Sequence, residues 1–391
     1  MTVSELRVGR KALARVHAGH LWIYANEIEG NLKTCEPGSI VDALDPKGDL
    51  LGRGFVNPQS LIAVRLLARE RREIDRGFFI EAIGAAIALR RSVYGEREAV
   101  RLVFGESDWL PGLIVDRYGD VLVVQSHALG IDRLMEPILD ALEELLHPRA
   151  IVLRNDLPVR ALEGAEQEKR VVRGTLPEVV EVEVDGVRLE VDVLRGQKTG
   201  LFLDQADNRA RLAPYVRDGR VFDAFCYAGQ WGLAAAAQGA REVVFADTSE
   251  WALEAAERHV KANFPDLIAR FHAVDMTSGF RKIIGQETFD AVIVDPPAFA
   301  RRKRDVPDAV RAYRTLNSRA IGLVRPGGVL VTSSCSFHIY RETFEDLLRK
   351  AGRDSGRRLR ILERGGPGRD HPILLGHPET EYLKCLFLRV D

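Results

Sequence analysis

Along the first 70 residues the apolar runs are short and broken by turn formers. Leu50-Leu51 and Leu61 to Leu67 sit among Glu36-Pro37-Gly38, Asp45-Pro46-Lys47-Gly48-Asp49 and Asn57-Pro58. Such runs between Pro and Gly signals predict strands, so this stretch reads as a small β domain. The spacing changes at about Asp75, where Phe78, Ile80, Ile83, Ile87 and Leu89 recur at helical intervals up to Tyr94. Gly112 to Gln125 then reads as two strands around Tyr118-Gly119-Asp120. An amphipathic helix near Arg133 to Leu146 and a strand at Ala150 to Arg154 follow. Val179 to Val193 alternates around Asp185-Gly186, a dipeptide that suits a type I′ hairpin turn leading into the last domain.

From about residue 220 the pattern becomes strand, helix, strand: Val221 to Phe225, Val243 to Ala246, Ala269 to Val274, Ala291 to Val294 and Val329 to Thr332, with a helix at Leu233 to Gln238. This alternation predicts an α/β domain, a mostly parallel sheet covered on both faces. Such sheets bind ligands at the carboxyl ends of their strands. Tyr382 to Val390 follows Arg358 to Glu363 without an intervening helix, and is expected to pair antiparallel at the sheet edge. The predicted domains are 1–72 (β), 73–190 (α+β) and 191–391 (α/β).

Composition narrows the partners. The 391 residues hold 56 Lys plus Arg against 57 Asp plus Glu, a net charge of −1, so any nucleic acid must be held by local patches rather than by a global field. The first 72 residues carry 11 basic and 8 acidic side chains, a local net of +3. Cysteines at 35, 226, 335 and 385, with no CxxC pair, form neither a disulfide framework nor a zinc site, and no metal is expected. The N-terminal stretch lacks the apolar region of a signal peptide, and no run of about 18 apolar residues occurs. A cytoplasmic location without membrane contact is expected.

The strand ends carry the candidate chemistry. The first reads Asp223-Ala-Phe-Cys-Tyr-Ala-Gly229-Gln-Trp-Gly232 before a helix. It lacks the GxGxxG needed to admit a pyrophosphate. The second ends in Asp247, where a carboxylate can accept both ribose hydroxyls. The third ends at Asp275 and the fourth at Asp295-Pro296-Pro297. Any one of these aspartates could simply cap the following helix. Four of them around a glycine turn, with no phosphate loop, are the pattern expected for S-adenosylmethionine.

With Ser334-Cys335-Ser336, these motifs resemble the class I S-adenosylmethionine-dependent methyltransferases, specifically the RlmI-type enzymes that make 5-methylcytosine in 23S ribosomal RNA. Gly196-Gln-Lys-Thr-Gly-Leu-Phe-Leu-Asp-Gln205 with Asn208-Arg209 is similar to the signature preceding that family's methyltransferase core. Gly19-His-Leu-Trp-Ile-Tyr24 resembles the His-Pro-Trp stretch of its PUA domain, an RNA-binding β-barrel, with Leu21 in place of the proline. The resemblance implies a PUA-like domain, a Rossmann-like methyltransferase domain, and cofactor contacts from Phe202, Asp204, Arg209, Asp223, Phe225, Tyr227, Gly229, Asp247, Asp275, Asp295 and Pro296. It implies 23S ribosomal RNA as partner, naked or in an assembling large subunit, and is compatible with a homodimer.

The implied reaction needs a thiolate. Cytosine C5 becomes nucleophilic only after a thiolate adds to C6, and Cys335, just past an apolar strand, is the candidate. Cys226 reads as packing, and Cys35 and Cys385 carry no functional reading. Asp295 is expected to hydrogen-bond the N3 and N4 edge of the base. The second cysteine of the two-cysteine RNA enzymes is here Ala298. Amino methyltransferases place an aromatic directly after the Pro-Pro, where it stacks on the flipped base; here it is displaced to Phe299. Methylation of an exocyclic amine (guanine N2 or adenine N6) and a non-catalytic RNA-binding or assembly protein are the alternatives. Arg301-Arg-Lys-Arg304 reads as a phosphate contact or a solvated face, and His17, His20 and Trp22 as RNA contacts or barrel packing.

Overall fold

The computed structural model describes residues 3–277 and 284–391. They group into two compact units. The first runs to Val182 and takes in Val191–Leu201 and Arg369–Thr380. The second comprises Glu183–Glu190, Phe202–Gly368 and Glu381–Asp391.

The first unit holds two sheets. One runs Trp22–Tyr24, Ile62–Ala68, Leu50–Val56, Ile40–Leu44, Ser4–Val8 and Ile28–Glu29 in spatial order. The sequence predicted only strands here, but Arg10–His17 is a helix that buries Ala12 and Val16 against Val8, Ile23 and Val64. Its Lys-Ala-Leu-Ala-Arg run is rich in helix formers, yet eight residues are too few to show a period clearly. The second sheet runs Lys169–Gly174, Ala150–Arg154, Val121–Ser126, Leu113–Tyr118 and Ala99–Phe104. It shares a core with the helices Arg76–Tyr94 and Met135–Leu146. Asp75 caps the first of these by accepting the Phe78 N–H at 2.9 Å. Glu163 stands buried amid Asn57, Ser60 and Arg65, accepting hydrogen bonds from all three.

His20 is buried, and Trp22 packs edge-on against both His20 and His377. These two residues therefore pack, whereas His17 is exposed. His20, His377 and Glu379 could converge on a cation. However, the Trp22 N–H donates to His20 Nδ1 at 3.1 Å, so neutral His20 carries its proton on Nε2, which faces Glu379 at 3.3 Å. That tautomer suits a hydrogen bond to the carboxylate and is the wrong one for a metal ligand.

The hairpin Val180–Val184 and Val187–Val191 turns at Asp185 and Gly186, both left-handed (φ 54° and 80°), as a type I′ turn requires.

In the second unit, seven strands form one sheet among the described residues. They are β1 (Arg220–Ala224), β2 (Glu242–Asp247), β3 (Ile268–Ala273), β4 (Phe289–Val294), β5 (Val324–Ser334), β6 (Leu359–Gly365) and β7 (Lys384–Val390). The order is 3-2-1-4-5-7-6. β1 to β5 are parallel, and β7 runs antiparallel to both β5 and β6. The final strand is thus antiparallel as expected, but it lies inside the sheet while β6 takes the edge. Burial explains the order: β7 is apolar from Cys385 to Leu388 and needs cover on both sides, whereas β6 exposes Arg360 to Leu362. The accompanying helices include α1 (Gln230–Ala237), α2 (Glu250–Asn263), α3 (Val306–Ile321) and α4 (Arg341–Asp354). Among the described residues, no helix is long and apolar enough to cross a membrane.

Candidate active site

Parallel register brings the strand ends to one rim. Ala224 pairs with Ala246 and Val294, and Val294 pairs with Thr332, so Asp247, Asp295 and Cys335 follow one to three residues beyond neighbouring strand positions. The turn after β1 has Phe225, Tyr227 and Gly229 in left-handed backbone (φ 64°, 50° and 86°). For the two non-glycine residues this costs about 1–2 kcal/mol each. Three bonds hold the turn: Cys226 N–H to Ala246 O (3.0 Å), Tyr227 N–H to Asp247 Oδ2 (2.8 Å) and Gly229 N–H to Cys226 O (2.8 Å). Gly232 is required for another reason, since a Cβ there would stand 2.2 Å from the Phe245 ring and force α1 off β2.

Three carboxylates face this turn. Asp223 is fully buried, and its Oδ2 accepts the Gly232 N–H at 2.8 Å while Oδ1 has no hydrogen-bond partner. Burial, reinforced by the charges of Asp295 and Asp247, pushes its carboxyl well above the usual range. Asp247 accepts Tyr227 N–H with one oxygen and Ser249 N–H with the other, at 2.8 and 3.0 Å. Asp295 Oδ2 accepts from Gln205 Nε2 and from Trp231 Nε1, both at 3.0 Å. Gln205 also donates to Ser333 Oγ and accepts from Asn208. Gln205 and Trp231 are functional candidates that the sequence reading quoted but gave no role. A buried amide and an indole N–H are the signals that mark them, because each needs a buried acceptor.

The other expected residues divide. The Phe202 ring stands edge-on to Tyr227, with centroids 5.4 Å apart. Asp204 is buried and accepts the Tyr382 hydroxyl at 2.7 Å. Buried Arg209 donates to the Phe202 carbonyl at 3.0 Å and so braces the backbone at Phe202. Asp275 is exposed, and its Oδ1 takes both the N–H and the hydroxyl of Thr277.

Cys335 is half-buried, with Sγ 3.9 Å from the Pro296 carbonyl oxygen. Ser336 Oγ accepts the Ala300 N–H at 3.1 Å and lies at the same distance from the Tyr313 hydroxyl, pinning the two loops together. Phe299 packs against Tyr313, with centroids 4.6 Å apart. Cys226 is buried, and burial first and nearby carboxylates second push its thiol well up; burial raises Cys385 to about 12. Arg301 to Arg304 are exposed directly beyond this loop.

Family models match a PUA-like domain at residues 6–69 and an S-adenosylmethionine-dependent methyltransferase at residues 166–366. The chain is 38% identical over 377 residues to ribosomal RNA large subunit methyltransferase I of Tolumonas auensis, covering 95% of each. It is 38% identical over 399 residues to the protein of that name in Aliivibrio fischeri, covering 100% of each.

The chain belongs to the ribosomal RNA large subunit methyltransferase I family.

The fold of this family member agrees with a solved structure described as a methyltransferase complexed with SAH, at a TM-score of 0.86 and 19% identity over 99% of this chain and 100% of the other. S-adenosylmethionine is the cofactor, and the residues present suit it. It carries an ammonium and a sulfonium but no phosphate. The clustered carboxylates Asp223, Asp247 and Asp295, with the unpartnered Asp223 Oδ1 facing burial without compensation, call for positive charge.

Proposed function

We propose that this S-adenosylmethionine-dependent enzyme methylates C5 of a cytosine in large-subunit ribosomal RNA, through a covalent bond between Cys335 and C6 of the base. Methylation of large-subunit ribosomal RNA follows from family membership. The observation that carries the finer reading is the contact of Cys335 with the carbonyl of Pro296, the residue after Asp295.

The cofactor supplies an electrophilic methyl group. Asp247 holds the ribose hydroxyls with the acceptor positions that Tyr227 and Ser249 leave over, since a carboxylate offers about four. Asp223 answers the cofactor's ammonium, and Phe202, Asp204, Phe225, Tyr227, Gly229 and Pro296 shape the pocket, with Arg209 bracing its backbone and Asp275 at its outer side. Asp295, steered by Gln205 and Trp231, hydrogen-bonds the N3 and N4 edge of the cytosine and stabilises the charge that builds on the ring. The Cys335 thiolate adds to C6, C5 takes the methyl, and loss of the C5 proton expels the thiolate. Arg301 to Arg304 contact phosphates of the RNA beside the target base. The packing of Phe299 on Tyr313 favours this reading over amine methylation, which needs an aromatic platform for the base.

The test is Cys335→Ala. It should abolish turnover with S-adenosylmethionine affinity unchanged. RNA with 5-fluorocytosine at the target should trap wild type and Cys226→Ala, but not Cys335→Ala, as a denaturation-resistant adduct. Full activity of Cys335→Ala would sink the proposal in favour of amine methylation.

A further inference from the structure

β7 enters the sheet with Lys384 paired to Ser334, the residue before Cys335. The lysine runs into the protein: it is 2% exposed, and Nζ donates to the carbonyls of Ser336 and Tyr382 at 2.8 Å each. Among the described residues no carboxylate forms an ion pair with this ammonium. Burying a cation against neutral acceptors alone costs several kcal/mol, so buried lysines are ordinarily paired. Two of its three N–H groups are used and the third remains.

The charged and titratable groups around it come from three neighbouring segments. Cys335 at the end of β5 and Glu381 before β7 favour its protonated form, and Arg341 at the start of α4 opposes it. Burial outweighs these and brings the lysine down to about 8. On the α3 side, burial and then the charge of Cys335 raise the Tyr313 hydroxyl to about 12. Lys384 and Tyr313 both hydrogen-bond Ser336, the residue after Cys335, which puts these two buried groups beside the loop that carries the thiol.

We propose that Lys384 is the counter-cation of Cys335, holding the thiolate at the sheet rim and lowering the pH at which it forms. The thiol proton leaves to solvent and Lys384 keeps its three, so no proton passes between them. Lys384 is a positioning residue, and its role rests on the reading of Cys335 as the nucleophile. A lysine beside a thiol depresses the thiol pKa by favouring its charged form.

The test measures the rate of iodoacetamide alkylation at Cys335 against pH, in the full-length protein, by mass spectrometry of the Cys335 peptide. Wild type should show a midpoint below the ~8.5 of a free thiol. Lys384→Met should raise the midpoint by about one pH unit, which slows alkylation at neutral pH roughly tenfold, and Lys384→Arg should restore most of the shift. Unchanged binding of S-adenosylhomocysteine reports that each variant folds. A Lys384→Met midpoint equal to wild type overturns the proposal. So does a wild-type midpoint at or above that of a free thiol, which keeps the test decisive if Lys384→Met fails to fold. The two readings fail separately. An Lys384-dependent midpoint without a 5-fluorocytosine adduct refutes cytosine C5 chemistry alone, and an adduct with an unshifted midpoint refutes the role of Lys384 alone.

Discussion

Replacing Asp247 by alanine should weaken S-adenosylmethionine binding by at least tenfold, with Cys335 and Asp295 left in place. Each Asp247 oxygen already accepts one backbone N–H, from Tyr227 and Ser249, which leaves about two acceptor positions for the ribose. A hydrogen bond to a charged group contributes about 1.5–3 kcal/mol, so losing two removes about 3–6 kcal/mol at the upper bound. At 1.4 kcal/mol per tenfold, that bound is a factor of about a hundred to ten thousand in Kd. Water entering the gap recovers part of this, and tenfold is the floor. A second effect acts in the same direction. Tyr227 stands in left-handed backbone with its N–H on Asp247, and once that bond is gone the turn can relax from its binding shape. Asp247→Asn keeps one acceptor oxygen but turns an NH2 toward a backbone donor, so it should fall between wild type and alanine. Titration calorimetry with S-adenosylmethionine and S-adenosylhomocysteine, and thermal melting with and without ligand, give the numbers. A folded Asp247→Ala protein that binds within twofold of wild type would refute this placement of the ribose.

Neutralising Arg301, Arg302, Lys303 and Arg304, all exposed, should weaken RNA binding and reduce the log–log salt slope by about 0.7 per lost phosphate contact on single-stranded RNA. Cofactor affinity should stay the same, and an unchanged slope identifies the run as a solvated face. Glu163→Ala should destabilise the first unit by about 3–5 kcal/mol, because it leaves buried Arg65 without its carboxylate and strips partners from Asn57 and Ser60. Urea unfolding measures it, and a loss under 1 kcal/mol would show that water replaces the carboxylate.

What was legible in the sequence was local. Strand–helix alternation after residue 220 gave a parallel sheet, because both periods are written in consecutive residues. Asp247 and Asp295 were recognisable because each ends its own apolar run, and Asp223 because it interrupts one just before a glycine turn; a parallel sheet carries such ends to one rim. The Asp185-Gly186 turn was equally local, since a type I′ turn needs left-handed backbone at two adjacent residues and this dipeptide tolerates it.

Whatever depended on residues distant in the chain had to wait for the fold. The sequence could show that Tyr382 to Val390 makes a strand, but its place between β5 and β6 depends on which edges are left to cover. That placement brings Lys384 to Ser334, 50 positions earlier in the chain, and no spacing rule links the two. Gln205 and Trp231 acquire a role only when Asp295 is brought to them. Asp275 reads in sequence like the other strand-end aspartates, yet it stands exposed beside its own threonine, because β3 is the outer strand of the parallel half. Periodicity and strand-end chemistry are properties of neighbouring residues, so the chain alone determined them. Burial, and the pairing of β7 with β5 that carries Lys384 to the carbonyl of Ser336, are properties of space, and only the tertiary structure could decide them.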